Sequence, residues 1–124
     1  MSDFKKLKVW RKAHALALNV HSVAAGIRGR MYGSLRSQLV RAADSIPANI
    51  VEGRGERSDP DFAPFLGYSV DSTAELEYHL LVVRDMGTIA QAAYLSLLSQ
   101  TIEVRKMLHG LINTVAPRKD KPSD

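Results

Sequence analysis

The sequence predicts an all-α protein, an antiparallel up-down-up-down four-helix bundle. Apolar residues recur every three or four positions in four separate stretches, which is the period of helices with one buried face. The connections between these stretches are short, as is typical of antiparallel neighbours in a bundle. The low aromatic content, 6%, also favours helices over a β-sandwich.

The length of 124 residues fits one domain with a single core. We assign residues 1–117 to the bundle. Residues 118–124 are charged and contain a proline, so we expect a flexible tail there.

The first helix is predicted from Phe4 to Ala25. The glycine-rich segment after it predicts a loop, and Ser34 is placed to cap the second helix by accepting a bond from a first-turn amide. The apolar positions that define the first helix are Leu7, Trp10, Ala13, Ala17, Val20 and Ala24.

The second helix is predicted from about Leu35 to Glu52, with Pro47 inside it. Proline removes an amide donor and crowds the carbonyl of Ala43, at a cost of about 3 kcal/mol, so the helix must kink or break. The helical period continues on both sides, which favours a kink. Beside the buried face runs a polar stripe of Gln38, Arg41, Ser45, Asn49 and Glu52, and on another side Val40, Pro47 and Val51 form an apolar patch that indicates self-association.

The third helix follows a segment rich in glycine and proline, with Asp59 or Asp61 as its cap. Gly87 is placed to end it, and Thr88 with Gln91 forms a capping box that opens the fourth helix, which ends before Pro117. The third helix carries a heptad seam of Phe62, Leu66, Ser69, Thr73, Leu76, Leu80 and Val83. The fourth buries Leu97, Thr101, Val104, Leu108, Leu111 and Val115.

The composition argues against several classes of protein. The chain has no cysteine, which excludes disulfides, thiol catalysis and zinc ribbons. Its first ten residues lack the apolar core of a signal peptide, and no apolar run approaches the roughly 20 residues of a membrane helix. We therefore expect a soluble, cytoplasmic protein that does not contact a membrane.

Metal and catalytic sites have weak support in the sequence. His14 and His21 lie two turns apart, roughly 10 Å along a helix, which is too far for direct chelation of one ion. Glu75 and His79 lie one turn apart, but the paired Glu-x-x-His motifs of di-iron bundles are absent. We expect ion pairs at these positions, with no metal and no cofactor.

The polar stripe of the second helix has two interpretations. Arg41, Ser45, Asn49 and Glu52 could form the active site of an enzyme, or the stripe could be a hydrogen-bond network between helices. We favour the network, because the sequence has no nucleophile elbow, zinc-protease motif or phosphate loop.

Positive charge is concentrated in the first half of the chain. Residues 1–57 hold 11 Lys and Arg against 4 Asp and Glu, a net charge of +7, whereas residues 58–124 hold 6 against 9, a net charge of −3. Such clustering is typical of surfaces that contact phosphate backbones, although a solvated face is an equal alternative. The candidate contacts are Lys5, Lys6, Lys8, Arg11, Lys12, Arg28 and Arg30.

Two segments resemble a known family. They are FKKLKVWRKAH at residues 4–14 and QLVRAADSIPANIVEG at residues 38–53, and the resemblance extends through the third helix. They are similar to the four-helix-bundle proteins encoded by intervening sequences of bacterial 23S ribosomal RNA genes. The chain departs from the usual pattern at Asp71, where a glycine is common, and at Pro64.

The resemblance implies a homopentamer with a central channel. A related protein of diversity-generating retroelements is thought to bind nucleic acid and a reverse transcriptase. Members of the family also occur outside both of these genetic settings.

The preferred hypothesis is a non-enzymatic homo-oligomer whose basic first half binds RNA or DNA without base specificity. The alternative is an oligomeric scaffold that recognises a protein partner, with positive charge serving only solubility. Reversal of Lys5, Lys6 and Lys8 to Glu discriminates between them, because only the nucleic-acid binder loses its ligand.

Overall fold

The computed structural model describes residues 3–55 and 58–116, so the predicted tail at 118–124 lies outside the described residues. The described chain is helical and contains no β-strand. Short 3-10 helices at Phe4–Lys6 and Arg30–Tyr32 precede the first two α-helices. The four α-helices are α1 (Lys8–Ala25), α2 (Gly33–Arg54), α3 (Asp59–Asp85) and α4 (Gln91–Val115).

Each helix packs on two neighbours, so the four form a closed ring. The packed pairs are α1 with α2, α2 with α3, α3 with α4, and α4 with α1, whereas within the described residues α1 does not pack on α3, nor α2 on α4. Ser45 of α2 contacts Ser72 of α3, and Ile46 of α2 contacts Ser69 of α3. Residue numbers rise along α2 while those of the contacted residues fall along α3, so these two helices run in opposite directions. The arrangement is the all-α four-helix fold predicted, and it is consistent with up-down-up-down topology.

The core lies along the predicted apolar faces. Every residue of the α3 heptad seam is buried, including the polar Ser69 and Thr73. In α4 the predicted residues are buried from Leu97 to Leu108, whereas Leu111 and Val115 are half-buried near the end of the helix. The heptad pattern therefore located the inner face of both helices correctly.

The first helix begins four residues later than predicted. Asp3 caps a 3-10 turn by accepting a bond from the Lys5 amide at 3.1 Å, and the chain is extended at Leu7 before α1 starts at Lys8. Arg11 stabilises this break because its Nη1 donates to the carbonyl oxygens of Lys5 and Lys6, each at 3.0 Å. A long side chain thus satisfies carbonyls that a continuous helix would have used.

The start of α2 also differs from the prediction. The helix begins at Gly33 without a side-chain cap, so Ser34 lies inside its first turn and accepts a bond from Gln38 Nε2 at 3.0 Å instead. The preceding loop is held by Arg36, whose Nη1 donates to the carbonyl oxygens of Ile27 and Gly29 at 2.8 and 2.9 Å.

Both predicted caps of the second half are wrong. Ser58 caps α3, with its Oγ 3.4 Å from the Asp61 amide, while Asp59 and Asp61 lie in the first turn, where their charges favour the helix dipole. Ala90 precedes α4 without a side-chain bond, and Thr88 Oγ1 donates back to the Val83 carbonyl at 2.8 Å. The hydroxyl of Thr88 is therefore used to close α3 rather than to open α4.

Gly87 ends α3 as predicted. Its φ is +72°, its amide donates to Arg84, and the next amide, that of Thr88, donates to Val83. These two bonds form a Schellman motif, which needs the left-handed conformation that glycine adopts without strain.

Pro47 lies within α2, which continues through it without a break. Pro47 is buried within the single chain, while Val40 and Val51 are half-buried. Asp44, one turn away on the same face, binds α1, so this face points toward α1. The patch predicted to favour self-association is thus largely used inside the bundle.

No helix within residues 3–55 and 58–116 combines the length and apolar character that a membrane crossing needs.

Candidate nucleic-acid interface

Three lysines at the start of the chain carry unpaired positive charge. Lys5 and Lys6 lie in the first 3-10 helix and Lys8 opens α1, and all three are exposed. None of their ammonium groups has an ion-pair or hydrogen-bond partner in the part of the chain that the structure describes. These cations are therefore available to an external anion.

The other two basic residues near this end already have partners. Arg11 is committed in part to the carbonyls of Lys5 and Lys6. Lys12 Nζ lies 3.7 Å from Glu103 Oε1 of α4, in an exposed pair that contributes little to stability. We call the group of Lys5, Lys6, Lys8, Arg11 and Lys12 the basic end of α1.

Arg28 and Arg30 do not join this group. Both are exposed, but they follow the opposite end of α1, roughly 25 Å from Lys8 at 1.5 Å per residue. The seven predicted contacts thus divide into a cluster of five and a separate pair, and one ligand must extend along α1 to reach both.

An aromatic stack lies within the basic end of α1. The rings of Trp10 and His14, one helical turn apart, are stacked with centroids 4.8 Å apart and an angle of 9° between their planes. Phe4 contacts Trp10 in an edge-to-face arrangement, with ring centroids 4.9 Å apart. From the sequence, His14 was considered only for a metal or acid–base site, although the spacing of four residues between Trp10 and His14 could have suggested the stack.

The polar stripe of α2 divides into a buried and an exposed part. Ser45 Oγ lies 2.6 Å from Ser72 Oγ of α3 and 2.8 Å from the Ala42 carbonyl oxygen, and Asn49 Nδ2 donates to the Ser45 carbonyl at 2.8 Å. Ser69 of α3 adds a bond to the Ile46 carbonyl at 2.8 Å.

These bonds surround Pro47, which cannot donate to the carbonyl of Ala43. The side chains of Ser45, Asn49 and Ser69 therefore donate to three backbone carbonyls in the turns that flank the proline. The Ser45–Ser72 bond and the bond from Ser69 to the Ile46 carbonyl also join α2 to α3. Ser69 and Ser72, which the sequence analysis did not place in this network, supply the half that comes from α3.

The remaining residues of the stripe are Gln38, Arg41 and Glu52. Gln38 binds Ser34 within its own helix, and Arg41 and Glu52 are exposed. A surface groove of about 640 Å³ lies on the outer side of α4, between Leu95 and Met107, and a second, of about 260 Å³, lies between the start of α1 and the end of α4. No residue of the stripe lines either groove.

Two histidines lie close to carboxylates, and of these pairs only His79 with Glu75 was predicted. His21 Nε2 lies 2.8 Å from Asp44 Oδ1, which links α1 to α2, and His79 Nε2 lies 3.6 Å from Glu75 Oε1 on α3. Among residues 3–55 and 58–116, no group of three or more acidic or histidine side chains is arranged to hold a metal ion.

In contrast to the basic end of α1, α3 is predominantly acidic. This helix contains six carboxylates and a single Arg, and it exposes Tyr68 and Tyr78, which as residues are 52% and 62% accessible. The lysines and arginine of α1 and the carboxylates of α3 thus belong to helices that are diagonal in the bundle. The carboxylates are Asp59, Asp61, Asp71, Glu75, Glu77 and Asp85.

Comparison with known proteins supports the fold and the resemblance. None of the curated proteins matches the chain significantly. Five chains of solved structures do match. One is a protein with unknown function from the S23 ribosomal protein family of Bacteroides thetaiotaomicron VPI-5482, which is 25% identical over 84% of this chain and 97% of its own length, with a TM-score of 0.77.

The family model described as "23S rRNA-intervening sequence protein" matches residues 5–110, which include the basic end, the Pro47 segment and the α3 seam. The chain therefore belongs to the 23S rRNA-intervening sequence protein family.

Proposed function

We propose that this protein is a non-enzymatic, homo-oligomeric helical bundle that binds RNA or DNA through the basic end of α1, without base specificity. The observation that carries the proposal is the set of three exposed lysines, Lys5, Lys6 and Lys8, whose charges have no partner among the described residues. Lysine ammonium groups are compact charges suited to phosphate oxygens, and they read no base sequence.

Oligomerisation would strengthen such binding. Copies that associate head to tail through surfaces outside the basic end would keep Lys5, Lys6 and Lys8 exposed to a ligand. Repeated head-to-tail contacts of this kind close into a ring when the rotation allows it. A ring repeats the basic end several times and raises affinity for a polyanion by multivalency.

Neither of the two described grooves is lined by residues of the α2 stripe, which favours a binding protein over an enzyme. Ser45 and Asn49 are used at the α2–α3 contact and around Pro47. Both side chains are half-buried and are hydrogen-bonded to groups of the protein itself.

The proposal is tested with a pair of charge-matched variants. Lys6→Glu/Lys8→Glu reverses two charges in the basic end, and Arg41→Glu/Lys106→Glu reverses two exposed charges elsewhere. With a fluorescent RNA of mixed sequence at low salt, we expect the first variant to bind at least about tenfold more weakly than the wild type and the second to bind nearly as well.

Equal loss in both variants would show that only net charge matters. No binding by the wild-type protein at micromolar concentration and low salt would refute the proposal. Neither double variant removes a described hydrogen bond or ion pair, so circular dichroism should show unchanged helix content in both.

A second candidate function rests on α3. Exposed tyrosines are enriched at protein interfaces, and Tyr68 and Tyr78 stand on a helix with six carboxylates. This face would suit a basic protein partner. Under this alternative the Lys6→Glu/Lys8→Glu variant keeps its partner, whereas Tyr78→Ala loses it.

A further inference from the structure

The outermost ring of the aromatic stack has one free face. Phe4 and Trp10 are half-buried, whereas His14 is exposed. One face of the His14 ring lies on Trp10. His14 is exposed and, among the described residues, makes no other ring contact, hydrogen bond or ion pair, so no second ring is stacked on its opposite face.

The open ring lies among the cations of the basic end. Arg11 precedes His14 by three residues and is its neighbour one turn back along α1, while Lys8 lies six residues back, about 9 Å along the helix axis and roughly a third of a turn to one side. The half-buried Trp10 lies against one face of the His14 ring, with the two ring planes nearly parallel, and this contact restricts the orientation of His14. A flat ligand that carries negative charge could therefore meet the ring and the cations together.

A nucleic-acid duplex cannot use this ring, because its bases are stacked inside the helix and only phosphates and groove edges are presented. A single strand exposes the faces of its bases, and stacking on aromatic side chains is a sequence-tolerant source of affinity for single strands. The combination of free cations with an open, supported ring is thus selective for the single-stranded form.

We propose that the basic end of α1 prefers single-stranded nucleic acid and that one base stacks on the free face of His14. This inference rests on the proposed nucleic-acid function and specifies the ligand of that same surface. Phosphate contacts at Lys5, Lys6 and Lys8 would bring the strand to α1, and stacking on His14 would distinguish it from a duplex.

The test compares a 20-nucleotide single strand of mixed sequence, as RNA and as DNA, with the duplex of the same sequence at one salt concentration. We expect the wild-type protein to bind at least one of the single strands at least about fivefold more tightly than its duplex. His14→Ala should remove this preference and leave duplex affinity unchanged, whereas His14→Tyr, which keeps a ring, should retain it.

The matched control is His21→Ala on the same helix, because His21 is equally exposed but pairs with Asp44 and belongs to no stack. A strand that contains 2-aminopurine supplies a second readout, since stacking quenches its fluorescence. We expect quenching with the wild type and the His21→Ala variant but not with His14→Ala.

Three results would overturn the inference. Equal affinity for single strand and duplex, or an equal effect of His14→Ala on both, would leave nonspecific phosphate binding intact and remove the role of His14. Binding to neither form at low salt would remove the proposed function as well.

Discussion

At Gly53 the α2 and α3 backbones approach so closely that no side chain fits between them. A Cβ atom at this position would lie 2.4 Å from Phe65 Cβ and 2.9 Å from Phe62 Cδ1. Phe65 Cβ is attached directly to the backbone, so rotation of the phenylalanine side chain cannot relieve the contact. The glycine at the end of the segment 38–53 is therefore required by packing.

We predict that Gly53→Ala lowers the free energy of unfolding by about 2 kcal/mol, because the helices must separate to admit the methyl group. The control is Gly67→Ala, at a position in α3 where a Cβ would meet nothing within 4 Å. There the helix preference of alanine should raise stability by about 0.5–1 kcal/mol. Urea unfolding of both variants measures the difference, and equal effects would contradict the close approach.

Burial could be predicted from the sequence more accurately than hydrogen bonding. The seam from Phe62 to Val83 was predicted correctly because apolar and small polar residues repeat with the heptad period. The bonds of Ser69 and Ser72 to α2 depend on the relative position of two helices, which no local pattern encodes. For the same reason the sequence did not show that Arg11 turns back to the 3-10 helix.

At the scale of elements, helix interiors were predicted well and helix beginnings poorly. Ser58, Asp59 and Asp61 are all good caps within four residues, and the local sequence does not decide among them. By contrast, Gly87 was predicted correctly because a Schellman motif favours a residue with positive φ and few residues other than glycine tolerate it.

We predict that Gly87→Ala destabilises the protein by about 1 kcal/mol through backbone strain alone, since a Cβ there would meet nothing within 4 Å. Gly87→Asn should cost less, because asparagine adopts the left-handed conformation more readily. Gly110→Ala, at an open position inside α4, is the control and should not destabilise. Thermal unfolding of the three variants provides the measurement, and equal loss in the Ala and Asn variants at position 87 would argue against strain.

At the scale of the whole molecule, charge is the property that links the fold to the proposed function. The first half of the chain, which includes α1, is basic, and the second half, which includes α3, is acidic. The bundle places α1 and α3 on a diagonal, so these two helices of different charge do not pack on each other. The sequence predicted the basic half, and the predicted helix from Phe4 to Ala25 already implied that Arg28 and Arg30 lie at the end of α1 opposite to Lys8.

We predict that light scattering in physiological salt gives a mass several times the 13.7 kDa of one chain, with about five copies expected from the family resemblance. A mass of one chain for the wild type would contradict both the oligomer and the argument from multivalency.

The most direct test of the central claim is a salt titration of RNA binding by fluorescence anisotropy. The logarithm of the association constant should fall linearly with the logarithm of salt concentration for the wild type. For Lys6→Glu/Lys8→Glu the slope should be shallower by at least about 1.4, since each lost phosphate contact removes roughly 0.7 from the slope for a single strand. The same slope and affinity in both proteins would contradict binding through the basic end of α1.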